Sequence, residues 1–191
     1  MADTYKSFGE LIKYEKEGAD FDIEINDRGS HYAIIAIHGG NIEPATTELA
    51  RILADKSFSF YSFIGNNTEK ECEKLHITSS HFDEPRCYNL VHKSSKTISI
   101  HGKSGGRDFI MVGGLDNNLI QRIIDVLRIN GFKTERLSDD MNGNSPLNIC
   151  NKCSSKKGVQ FEISRGLRDK FLNDSEELSR FCDIIRSVLI L

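Results

Sequence analysis

A chain of 191 residues with 38% hydrophobic and 28% charged residues buries a core of its own as one domain, 1–191, neither disordered nor fibrous. Lys and Arg number 25 against 28 Asp and Glu, a net charge of -3, which excludes a global basic field for nucleic acid though not a local basic patch. No apolar run, including Ala33 to Ile37 and the tail Ser187 to Leu191, is long enough to cross a bilayer. The first residues lack the basic, apolar, small progression of a secretory signal, so synthesis in the cytoplasm is expected, with release by cell lysis open. The 5 Cys are expected as free thiols, and Cys150 and Cys153 form a lone C-x-x-C without a second pair to complete a zinc ribbon.

The first thirty residues are acidic, and Phe8, Leu11, Ile12 and Tyr14 give Ser7 to Glu17 a weak helical stripe. Phe21 to Asn26 alternates as a half-buried strand, Asp27 to Ser30 is a turn, and His31 to Ile37 reads as a buried central strand. Thr46 is placed to cap a helix whose core face is Leu49, Ile52 and Leu53. Ser57 to Ile64 is a strand, Gly65 to Glu69 a turn, and Leu75 to Thr78 a short extended piece. Glu84 and Pro85 open a helix to about Lys93. Thr97 to Ile100 and Asp108 to Val112 are strands. Leu115 to Asn130 is an amphipathic helix closed by Gly131, and Phe132 to Leu137 a strand. Ser138 to Lys157, rich in Asn, Ser, Gly and Lys, reads as a long mobile loop. Val159 to Ser164 is a strand and Ser175 to Leu191 a closing helix. Strands alternating with helices predict an α/β fold: a single three-layer domain with a mixed or mostly parallel sheet.

Two strands end alike. His38 closes one and His101 another, and each is followed by Gly, which lets the chain turn and leaves room beside the ring. Ligands in open α/β sheets sit beyond the carboxyl ends of strands. Glu43, five residues after His38, can return its carboxylate to that ring, and His, Glu, His with an open position is a catalytic zinc set. The competing reading makes both His buried structural imidazoles. His81, in a polar loop, competes for the third ligand place and is read as a rim residue, while His31, His76 and His92 read as ordinary. Glu162 shares the polar face of its strand with Gln160 and Ser164. It is either a general base or the ion-pair partner of Arg165 or Arg168 on an edge strand. Five basic residues between Lys152 and Arg168, with Glu162 the one acid, point to a local anionic ligand or a solvated face.

The segments AIIAIHGGNIEPATTELA, LHITSSHFDEP, KTISIHG, VGGLD, NICNK and GVQFEISRGLR follow in this order. Together they resemble the poly-γ-glutamate hydrolase family of phages that infect Bacillus and of their Bacillus relatives, from about Asp3 to Phe171. Some of its members are labelled only as phage-related replication proteins. The resemblance implies a zinc-carboxypeptidase-like fold and zinc (Zn2+) held by His38, Glu43 and His101. It implies hydrolysis of γ-glutamyl linkages by zinc-bound water with Glu162 as the base, in the service of capsule degradation. The spacing H-x4-E departs from the H-x-x-E of carboxypeptidases, so Glu43 as ligand rests on the resemblance. Lys152 stands where Arg is common in the family. Arg165 is expected to act on the oxyanion in catalysis, and Arg168, Lys152, Asn151, Lys103 and Arg107 to bind the substrate carboxylates. The expected partner is an anionic polymer, poly-γ-glutamate, with no nucleic acid and no membrane, and the chain is expected as a monomer. A zinc amidohydrolase of a small acylated glutamate and a non-catalytic phage binding protein are the other readings.

Overall fold

The computed structural model describes residues 3–137 and 143–190. Within them the strands β1 (Phe21–Asn26), β2 (Tyr32–Gly40), β3 (Ser59–Gly65), β4 (Lys96–Lys103), β5 (Ile110–Gly114), β6 (Thr134–Arg136) and β7 (Val159–Ser164) build one mixed sheet. Its order is β1-β3-β2-β4-β7-β5-β6. The four central strands β3, β2, β4 and β7 run parallel, β1 pairs antiparallel to β3, and β5 joins β7 antiparallel with β6 beside it. From β2 the chain passes to β3 on one side, then returns to β4 on the other, so the sheet reverses its winding between β2 and β4. That crevice is where open α/β sheets take ligands.

The helices are α1 (Phe8–Leu11), α2 (Thr46–Ala54), α3 (Glu69–Cys72), α4 (Pro85–Lys93), α5 (Asn117–Ile129), α6 (Arg165–Asn173) and α7 (Ser175–Leu189). Alternation along the strands feeds two cores. Ile34, Ile98, Ile100, Phe161 and Ile163 face α2, α5, α6 and α7. Ala33, Ile35, Ile37, Tyr61 and Phe63 face α1, α4 and the 3₁₀ turn Ile149–Lys152. The result is the expected three-layer arrangement.

Local expectations fail in instructive places. Thr46 does not cap α2. Ala45, at φ 74°, holds the cap position, and the Thr46 hydroxyl donates to the carbonyls of His38 and Glu43. Leu75 ends a 3₁₀ turn, so only the residues after it are extended. Helix α6 begins directly at the end of β7, where Ser164 accepts from the Leu167 amide, although its sequence carries few apolar residues. Strand β7 is not an edge: β4 and β5 cover both its sides. The loop expected to be mobile is partly fixed. The Ile149 amide donates to Ser79 O and the Ser154 amide to Ser94 O, while 138–142 lie outside the described residues.

Candidate active site

His38 and His101 lie on neighbouring parallel strands near their carboxyl ends. Simple alternation would send His38 to the face opposite Ile37. A register shift between Ala36 and Gly39 against β3 inserts a residue, and a bulge of this kind re-aims a side chain. The His38 ring thereby comes within 5.0 Å of the His101 ring. The glycines after each His serve packing more than turning. A Cβ at Gly39 would collide with the Thr47 and Ser62 hydroxyls, and one at Gly102 would meet the Arg168 guanidinium.

The hydrogen bonds set which nitrogens face the site. His38 Nε2 donates to the Ile77 carbonyl at 2.9 Å, and His101 Nε2 meets the Ser99 hydroxyl at 2.8 Å. His38 Nδ1 then lies 3.1 Å from Glu43 Oε1 and 3.2 Å from His101 Nδ1, with His101 Nδ1 3.8 Å from Glu43 Oε2. Glu43 Oε2 also accepts the Gly102 amide at 2.7 Å. Two ring nitrogens and a carboxylate converging this closely call for a cation among them, a proton or a metal. Ligand atoms of a four-coordinate zinc with bonds near ~2.1 Å lie about 3.4 Å apart, and the two rings stand at comparable distances from each other and from different oxygens of Glu43. The outward nitrogens fixed on a carbonyl and a hydroxyl are the second-layer support that metal-bound imidazoles use.

Electrostatics agree. Burial opposes charge on Glu43, but His38, His101 and the Gly102 amide hold its carboxyl down at about 2. Burial pulls His38 down and Glu43 more than compensates, raising it, whereas burial and the charge on His38 push His101 down to about 3. These directions favour positive charge on His38, beside Glu43, over charge on His101.

Glu162 stands beside His101 in the β4–β7 register, on the same sheet face, and accepts from Gln160 at 2.8 Å. Burial and then the neighbouring Glu43 raise its carboxyl to about 7. The arginine pairing allowed by the sequence is not made. Arg165 holds Glu69 (2.7 Å) and Asp169 (2.6 Å), and Arg168 donates to the Ile163 and Pro44 carbonyls.

These groups line a cleft of about 1070 Å³ that also includes Lys103, Arg165 and Arg168. Three expected substrate contacts are not on its walls. Asn151 is buried, donating to Gly143 O and Ser145 O and accepting the Gly158 amide, so it braces the loop. Lys152 and Arg107 also lie off the cleft. His81 is exposed at the surface near Asp3. The residue that the sequence reading passed over is His76, which lines the cleft and stacks on His38 with centroids 4.0 Å apart. Nitrogens of His38 and His76 and an oxygen of Glu43 lie within 4.8 Å of one another. Its signal was present, a His between the buried Leu75 and Ile77, but its distance from His38 along the chain hid the contact.

The poly-gamma-glutamate hydrolase family model matches residues 5–181. The SPbeta prophage-derived protein YoqZ of Bacillus subtilis (strain 168) is 40% identical over 174 residues, 90% of this chain and 62% of its own length. YndL of the same organism is 38% identical over 168 residues, 87% of this chain and 66% of its own length, so the chain spans about two thirds of these relatives or less. A solved structure of a bacteriophage poly-gamma-glutamate hydrolase superposes with TM-score 0.93 at 30% identity, covering 99% of this chain and 97% of that one. A zinc-free apo structure of YndL does so at 0.91 and 34%, covering 98% of both. In sequence and in fold, the chain belongs to the poly-gamma-glutamate hydrolase family.

Proposed function

We propose that the chain is a zinc-dependent hydrolase that cleaves the γ-glutamyl amide linkages of poly-γ-glutamate. The observation that carries this reading is the convergence of His38, Glu43 and His101 beside a buried Glu162, lining a cleft in this family's fold. The zinc-free description of the YndL structure supports the choice of metal. Held by His38, Glu43 and His101, zinc would polarise the amide carbonyl and acidify a water at its open position. Glu162, with one side-chain hydrogen-bond partner among the described residues in Gln160, takes the proton from the attacking water and hands it to the leaving amine. Arg168, fixed by two carbonyls, presents its remaining N–H groups to the oxyanion or a substrate carboxylate. Lys103 faces the cleft without an ion-pair partner among the described residues and binds the next carboxylate. Arg165 enters only by exchanging Glu69, which makes it a secondary contact. A cleft of about 1070 Å³ exceeds what a small acylated glutamate fills, which favours the polymer.

Glu162→Gln tests the reading. It preserves shape and removes the base, and turnover should fall by about 10²–10⁴-fold with zinc retained at one ion per chain. Near-normal turnover would remove Glu162 from the mechanism, and loss of zinc would make it a ligand.

A further inference from the structure

His76 belongs to none of the roles above, yet it is the third imidazole of the cleft. Its ring covers the His38 ring at 4.0 Å with 29° between planes. Its Nδ1 meets Asp3 Oδ1 at 2.9 Å, and Asp3 Oδ2 accepts the Thr78 amide at 2.8 Å. A carboxylate only accepts, so Nδ1 carries the proton and Nε2 is left as a bare acceptor, with no hydrogen-bond partner among the described residues. Asp3 lies 73 residues from His76 and is held on both oxygens, so the ring is oriented from outside its own loop.

A γ-linked glutamate chain offers that nitrogen few choices. Its carboxylates and carbonyls are acceptors, and its amide N–H groups are its donors. We propose that His76, oriented by Asp3, is a substrate-binding residue of the cleft that accepts an amide N–H of the γ-glutamyl chain and so sets the register of the polymer against His38, Glu43 and His101. This rests on the reading of the cleft as a γ-glutamyl hydrolase.

Asp3 is the positioning residue, and its geometry gives an unusual test. In Asp3→Asn the Thr78 amide can only donate, so it claims the Asn oxygen and leaves the NH₂ group facing His76 Nδ1. The ring then turns to the tautomer with Nε2–H, and the acceptor becomes a donor. The measurement is kcat and KM for a defined γ-glutamyl oligomer, with zinc content, on zinc-loaded wild type, His76→Leu, His76→Gln, Asp3→Asn and the double variant Asp3→Asn/His76→Gln. His76→Leu and Asp3→Asn should each raise KM by about 3–10-fold, as for one lost hydrogen bond, with kcat nearly unchanged and zinc at one per chain. His76→Gln, which keeps an acceptor, should restore most of the loss, and with Gln at 76 the Asp3 change should cost nothing further.

Unchanged KM in His76→Leu, with wild type active, overturns the proposal alone. Loss of zinc in that variant overturns it in favour of a metal ligand. A drop in melting temperature that leaves KM untouched overturns it in favour of packing. A wild type that cleaves no γ-glutamyl oligomer overturns the functional reading and this proposal with it.

Discussion

At His38 the proton positions decide the chemistry. Its outward nitrogen must donate to the Ile77 carbonyl, so its inward nitrogen is a lone pair unless a proton or metal arrives. Removing both rings with His38→Ala and His101→Ala should therefore leave a folded, zinc-free protein by elemental analysis. Zinc remaining at one ion per chain would reassign the ligands. Tyr5 gives a pH test at a group that does not line the cleft. Its hydroxyl donates to Glu15 at 2.5 Å, and burial and then Glu15 push the phenol up to about 12. A raised folded-state value means a stabilisation fully present below the unfolded phenol's value near ~10 and lost as pH climbs from there toward 12. Denaturant midpoints at pH 9 and 11.5 should fall more steeply for wild type than for Tyr5→Phe. Equal slopes would show that Tyr5 does not couple to folding. The shared strand face of His101 and Glu162 was legible in the sequence because alternation sets where such residues point, whereas for His38 only the place near a strand end was legible and not the face. His76 and Arg168 were less so, because their neighbours come from segments distant along the chain.

Among the elements, β2 carries the feature that pattern reading does not reach. Its apolar run announces a central strand, but the bulge before Gly39 depends on the partner strand, and only the bulge brings His38 to the face of His101. Strand β4 makes a similar demand at Gly102. A Cβ there would come within 2.5 Å of Arg168 Cζ, a group held by Ile163 and Pro44. Gly102→Ala should destabilise the fold by about 1–3 kcal/mol, as overpacking does, and raise KM as Arg168 is displaced. Chemical denaturation checks the first effect, and an unaltered midpoint would show that Arg168 gives way freely. Helix α6 escaped the sequence reading for a physical reason: Leu167 and Phe171 are its buried apolar contacts, and Arg168 occupies the cleft side. Residues 143–157 hold no strand or α-helix, but they are fixed by a 3₁₀ turn and backbone bonds, a bracing role that the Asn-rich composition hid. Asn148 and Asn151 bind backbone and Gln160 and hold the turn against the sheet.

The whole molecule brings these parts to the carboxyl ends of the central strands. Parallel strands β2, β4 and β7 deliver His38, His101 and Glu162 in consecutive order, and the reversal of winding between β2 and β4 opens the crevice they share. The cleft wall joins α3 to α6 through the two-pronged Arg165–Glu69 pair, across 96 residues of chain. No helix among the described residues is long and apolar enough to cross a membrane. The architecture was legible because alternation of strands and helices leaves few topologies, whereas the antiparallel insertion of β5 beside β7 was not, since nothing in Ile110–Gly114 marks its direction. The central claim is that this cleft cuts the γ linkage of a polyanion. It is tested most directly by the viscosity of a poly-γ-glutamate solution with the zinc-loaded protein, beside an α-linked polyglutamate of equal length. Viscosity should fall for the γ polymer, stay level for the α polymer, and stop falling when a chelator is added. A γ polymer left at its starting viscosity, or equal cleavage of both polymers, would contradict the account.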